Sequence, residues 1–400
     1  MTKAHLIWPL LVALGCGSDA SDSEPIPSPA PADAGVETTA CPRSLGPADG
    51  PRRVVIGHPY NQDASKGDDY EVLRLSLDGA LTQTGTHFQM GRARTNRIEM
   101  TADGQIGISV QEDGSLGVFR FDGDDVVVVH EGFEGSFYAE EILLSEDGTE
   151  ALVVDPNWRN NGGGLYRISI ACDGSLTDHG IVIPSKLARA IRRIPGTTNA
   201  VLTGKDVGES PTDKDMHVID IADFSGPAVL ASVDAFDDDF AATTAIQVTQ
   251  DGRFALVADT SGFDGGDRIG VIALGASPAV ASVIDIEDPY DILLSPFGNA
   301  IAVPSGFGDE IYAIGYDAMN ATFSPPTALE HSGPAPALPG QGVVIERGSL
   351  AGLALVAENV GVRTIRFSSD GSVTDHGAFD LGNEEGDDLT AIVSAIGVTP

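Results

Sequence analysis

One turn recurs along this chain, and its spacing constrains the fold more than any other feature. Asp-Gly or a substitute stands at Asp49-Gly50, Asp103-Gly104, Asp147-Gly148, Pro195-Gly196, Asp251-Gly252, Phe297-Gly298 and Arg347-Gly348, at intervals of 44 to 56 residues. Asp-Gly suits a tight hairpin because both residues tolerate positive φ. An apolar run precedes each turn after the first, as in 141–144 (EILL) and 291–294 (DILL). Another follows it, as in 151–155 (ALVVD), 255–259 (ALVAD), 300–304 (AIAVP) and 354–358 (ALVAE). These runs are continuous rather than alternating, the pattern of strands buried on both faces.

A third strand recurs at 72–77, 117–122, 165–170, 217–222, 269–274, 310–315 and 363–368. A fourth follows 78–85 (DGALTQTG), 173–180 (DGSLTDHG) and 370–377 (DGSVTDHG). Units of four strands repeated at about 50 residues predict an all-β, seven-bladed β-propeller of antiparallel blades over 45–400. No strand precedes Asp49, whereas Leu389–Val393 resembles the inner strand 244–248 and Ile396-Gly397 stands at the turn position. The C-terminal segment is therefore expected to complete blade one and close the ring.

The strands ALVVDPN (151–157), ALVADTS (255–261) and ALVAENV (354–360) after such turns resemble the repeats of YVTN-type bacterial propellers and the wider lactonase-like propeller group. The resemblance implies the fold and raises hydrolytic ring opening as an activity, yet no residue matches a catalytic motif of that group. Trp8 and Trp158 are the only tryptophans, so a propeller of Trp-Asp repeats is disfavoured.

The N-terminus reads as an export address. Lys3, the apolar run Leu6–Leu14 and Gly15 form a signal of residues 1–15. Ala13-Leu14-Gly15-Cys16 resembles a bacterial lipobox, which implies lipidation at Cys16 and, with Gly17 following, the outer membrane of the cell envelope. Residues 16–44 are rich in Ser, Asp, Pro and Ala, the composition of a tether. Cys41 and Cys172 remain, and an oxidising compartment favours one disulfide between them.

Charge limits the partners. With 23 Lys+Arg against 59 Asp+Glu the net charge is −36, which repels nucleic acid. A monomer bound to the membrane through its lipid is expected, with a protein or a small polar ligand as its unknown partner. No cofactor is assigned: the acidic runs, such as Asp237-Asp238-Asp239, leave calcium open but match no EF-hand loop.

Six residues before each turn stand Arg97, Glu141, Arg189, Ala245, Asp291 and Gln341, with Arg94, Arg192 and Arg193 nearby. They begin the innermost strands and should ring one mouth of the central channel. Arginines beside Glu141 and Asp291 suit a small polar or anionic ligand, or an ion-pair network in the channel wall. Trp158, Asn160 and Asn161 are candidates for recognition on the loop face. No serine-hydrolase elbow, zinc or phosphate-loop motif occurs, so no catalytic residue and no metal ligand is named. The leading expectation is a binding or scaffolding lipoprotein, and the alternative is a lactonase-like hydrolase with its site at the channel mouth.

Overall fold

In a computed structural model of the chain, the residues described are 41, 43–58, 69–157, 162–205, 207–208, 214–236, 243–259, 267–306, 308–359, 361–381, 393 and 395–400. Residues 39–400 form one compact unit. No helix occurs among the described residues; the unit is all-β.

The repeat seen in the sequence is a four-stranded antiparallel sheet. The clearest instance runs Glu141–Leu144, Glu150–Asp155, Gly164–Ile170 and Leu176–Pro184, with each strand bonded to the next. The same order recurs from Ile191–Arg193 to Ala228–Val233, from Thr243–Val248 to Ala279–Asp285, and from Gly342–Val344 to Val373–Asp380. The sheet beginning at Leu293–Leu294 carries two short outer pieces, Thr322–Phe323 and Thr327–Ala328, on one strand. The strands Ala93–Met100, Ile106–Gln111, Leu116–Asp122 and Asp125–Phe133 make a further such unit.

The first and last strands meet in the remaining one. Ala395–Val398 pairs antiparallel with Arg52–His58, opposing Val398 to Val54 and Ala395 to Gly57. Its other edge pairs parallel with Ala93–Met100, which joins two units into an eight-stranded sheet. The strand lies further along the chain than the repeat alignment places it. Leu389–Ile392 fall outside the described residues, and Ile396-Gly397 is strand rather than turn. All four residues of Ala395–Val398 are buried. Gly397 is needed there: a Cβ would sit 2.6 Å from the carbonyl oxygen of Ile98.

One hydrogen bond marks the common register. The residue entering each turn donates its N–H across it: Thr101 to Ile106, Ser145 to Glu150, Ile194 to Asn199, Thr249 to Phe254, Ser295 to Ala300 and Ile345 to Leu353. Thr399 makes the same bond to Arg53, between the two ends of the chain. Three of these turns are further fixed by their aspartate. Asp103, Asp147 and Asp251 accept from Thr101, Ser145 and Thr249 hydroxyls at 2.7 Å. The turn glycines Gly104, Gly148, Gly252 and Gly298 have φ between 65° and 69°, a region that costs side-chain-bearing residues more.

Packing follows from the double-sided burial of the middle strands. Ala151, Leu152, Val153 and Val154 are all fully buried, odd and even residues alike. Among the described residues the apolar clusters each lie between successive sheets. Ile142 and Val153 pack with Ile108 and Val118, while Leu152 and Val154 pack with Leu202 and Ile219. One cluster joins Leu355 and Val362 to Val54, Leu73 and Ile396, the sheets nearest the two chain ends. The innermost strands of neighbouring sheets also touch one another, including Ala395–Val398 with Ala93–Met100 and with Gly342–Val344. The architecture is propeller-like.

The disulfide Cys41–Cys172 is present. Beyond it residues 43–49 cross the turn side of several sheets. Arg43 N–H bonds Asp147 O, its guanidinium bonds Asp103 and the carbonyls of Ala171 and Cys172, and Gly46 N–H bonds Ala102 O.

Candidate functional site

The innermost strands carry the charged groups. Strand alternation places residues two apart on one side, so Arg97 and Glu99 look the same way. Arg97 Nη2 donates to both oxygens of Asp291 at 2.6 and 2.7 Å, and its Nε donates to Gly342 O at 2.8 Å. Asp291 is fixed in turn, accepting from the N–H groups of Gly342 at 2.9 Å and Ile292 at 2.8 Å. Gln247, with its amide oxygen turned to Arg97, accepts from both terminal nitrogens at 3.1 Å. Residues from three other inner strands, or the segments leading into them, thus converge on one guanidinium.

A second pair lies beside it. Glu141 forms an ion pair with Arg192 and accepts the N–H of Ile191 at 2.7 Å. Arg192 keeps its charge firmly: although burial opposes it, Glu141, Glu99 and Asp291 surround it and raise its pKa.

Glu99 is the carboxylate that neither arginine binds directly. Burial pushes its pKa up; Arg192 and then Arg97 pull against that shift, and Glu141 adds to it. Glu99 is only half-buried against solvent, because it borders a cavity of about 600 Å³. That cavity is also lined by Arg97, Arg192, Arg193, Gln247 and Glu346. Pro195, Gln250, Ser295 and Pro296 line it as well, so it reaches to the turn side. A carboxylate with a raised pKa, set between two cations in a water-accessible hollow of this size, can take and return a proton.

The five channel candidates divide. Arg97 with Asp291, and Glu141 through Arg192, join this cluster. Arg189 does not line the cavity; its nearest charges are Glu140 and Arg94, which form their own ion pair. The reason is a slip of register. Thr197 N–H bonds Ile194 O as Gly148 N–H bonds Ser145 O, so Pro195-Gly196 sits one residue early in its turn. The residue equivalent to Glu141 is then Ala190, and Arg192 stands level with Glu99 and Gln247. Gln341 gives its carbonyl to Ala357 N–H, and it is the adjacent Gly342 that reaches Arg97 and Asp291. Cys16, Trp158, Asn160 and Asn161 lie outside the described residues. Glu99 and Gln247 escaped the sequence alignment, although both lie two residues past an aligned position on the same side of the strand.

No family model matches the chain, and no curated protein does. Solved structures do resemble it. The periplasmic gluconolactonase of Pseudomonas aeruginosa has a TM-score of 0.62 at 14% identity, over 88% of this chain and 99% of that one. A candidate 6-phosphogluconolactonase of Bacteroides uniformis has a TM-score of 0.57 at 15% identity, covering 88% and 100%. A protein of unknown function from Desulfotomaculum acetoxidans follows at 0.52 and 14%, covering 87% and 98%. The chain shares their fold, and at this identity the likeness extends no further.

Proposed function

We propose that this chain is a lactonase-like hydrolase, a propeller of seven four-stranded blades closed by Ala395–Val398, with its reaction in the Glu99 cavity. The observation that carries the reading is Glu99 itself, poised between Arg97 and Arg192 without being spent on either. A lactone is a cyclic ester, and opening it consumes one water. Glu99 as general base removes a proton while the water oxygen attacks the carbonyl carbon. Arg97 or Arg192 faces the oxyanion that develops. When the ring C–O bond breaks, the proton on Glu99 passes to the departing alkoxide and gives a hydroxy acid. Two of the neighbouring folds carry lactonase names, which supports the substrate class without fixing it.

The ring is supported by apolar packing between successive sheets and by the bond from Thr399 to Arg53. We extend the reading to an exported, monomeric, outer-membrane lipoprotein acylated at Cys16. The disulfide Cys41–Cys172 fits an oxidising compartment.

The test is release of acid from glucono-δ-lactone above the uncatalysed rate, with Glu99→Gln expected to lose about 10²- to 10⁴-fold. A second reading, a binding module without turnover, draws on the fact that Arg97 and Arg192 are already paired with Asp291 and Glu141. It would be preferred if lactones or sugar acids bound in the cavity and none was opened.

A further inference from the structure

We infer that Arg52 and Arg347 form an anion-binding subsite beside the Glu99 cavity, for a ligand bearing a phosphate or carboxylate group. The two arginines line a second cavity of about 360 Å³. It shares Arg97, Glu99, Val343, Val344 and Glu346 with the first, so the two hollows adjoin.

Arg52 is only 3% exposed, and its Nε is buried with no hydrogen-bond partner. Its terminal nitrogens meet main-chain carbonyls alone: Thr399 at 3.3 Å, Ala48 at 2.7 Å and Arg347 at 3.5 Å. Arg347 gives one N–H to Gly46 O at 3.0 Å. Among the described residues, neither guanidinium has a carboxylate within ion-pair distance. In a chain with 59 acidic side chains, two adjacent arginines without a counter-ion are a costly arrangement. Burial and then Arg347 hold Arg52 below the ordinary arginine value. The acids nearby do not cancel them. Asp49 helps Arg52 electrostatically, but its Oδ1 is taken by Ser349 N–H at 2.9 Å, and Glu346 is exposed.

The crossing segment that ends in these contacts is what holds the pair together. Gly46 and Ala48 supply the carbonyls, and a Cβ on Gly348 would strike Ala48 O at 1.9 Å. A buried donor with nothing to donate to, an adjacent cation and an open hollow are together what an oxyanion would complete. The subsite adjoins the proposed reaction site but does not depend on catalysis there.

Calorimetric titration of the whole chain with inorganic phosphate, 6-phosphogluconate and gluconate tests it. At least one of these should bind, and phosphate against gluconate identifies which oxyanion is preferred. Arg347→Gln should weaken that binding about tenfold or more. Arg53→Gln changes the net charge equally, outside this hollow, and should leave it within about twofold. Arg347→Lys keeps the charge without the planar fork and should fall between them, which covers the case of a poorly folded glutamine variant. The subsite is refuted if none of the three anions binds, or if Arg347→Gln and Arg53→Gln weaken binding alike. Binding with this pattern but no lactone opening would discard the hydrolase and keep the subsite, and the reverse result would do the opposite.

Discussion

Arg97 and Asp291 meet across the inner strands of two sheets 194 residues apart in sequence, with the arginine side chain 11% exposed and the aspartate 2%. Every lone pair of that carboxylate has a donor, from Arg97, Gly342 or Ile292. Removing one partner strands the other. Asp291→Asn should cost about 3 to 5 kcal/mol in urea unfolding, the size expected when a buried ion pair is broken. A change under about 1 kcal/mol would mean that the pair is solvated.

The C-terminal strand Ala395–Val398 gives a second prediction. Gly397 lies against Ile98, and Gly397→Ala should force that edge apart at about 1 to 3 kcal/mol. Deleting 395–400 should do more, baring the edges of Arg52–His58 and Ala93–Met100 and driving aggregation. A truncated chain that stays monomeric with an unchanged melting temperature would rule out the ring.

Glu99 sets the acid limb of any activity. Its pKa in the fold lies above the ordinary 4.5, because burial outweighs the two arginines. A general base must be ionised, so turnover should fall as pH drops through that raised value, earlier than for an exposed glutamate. Arg192→Gln removes the larger of the two opposing cations and should shift the limb to still higher pH. An acid limb that ignores Arg192→Gln would place the base elsewhere.

Asp215 offers a pH dependence of stability outside the Glu99 cavity. Burial, with Asp234 nearby, pushes it up to about 6 from 3.8, despite hydrogen bonds from the N–H groups of Ala235 and Phe236. The fold therefore favours its protonated form. That contribution is complete below 3.8 and is lost as pH rises to about 6. The loss is about 3 kcal/mol. Asp215→Asn should flatten this part of the stability curve, measured by denaturation at several pH values between 4 and 7.

Reduction of Cys41–Cys172 should lower stability by about 2 to 4 kcal/mol, read as a drop in melting temperature relative to the oxidised protein. Cys172→Ser should reproduce the drop and be insensitive to reductant.

The strands and turns were legible because they rest on local chemistry. Asp-Gly permits the turn, and runs such as Ala151–Asp155 are apolar at every position because both faces of the strand are covered. The disulfide was legible from the small number of cysteines. The channel candidates were readable only as far as the repeat kept its register. Pro195-Gly196 fills its turn one place early, so the alignment points to Arg189 where the fold places Ala190, and the arginine that enters the cavity is Arg192, two residues further on. The C-terminal strand lies further along than the repeat predicts because its pairing with Val54–Gly57 goes with burial of Ala395–Val398, not with resemblance to an earlier repeat.

The sequence determined the all-β repeat and the acidic composition, since each follows from residue type and short-range spacing, and its cysteine count left Cys41 and Cys172 as the expected pair. Tertiary structure alone decided that Arg97 pairs with Asp291 and Arg192 with Glu141, leaving Glu99 between them and Arg52 with no carboxylate among the described residues within ion-pair distance. Charge pairing depends on distances of a few ångströms between segments far apart in the chain, and only the packing of the sheets against one another sets those distances.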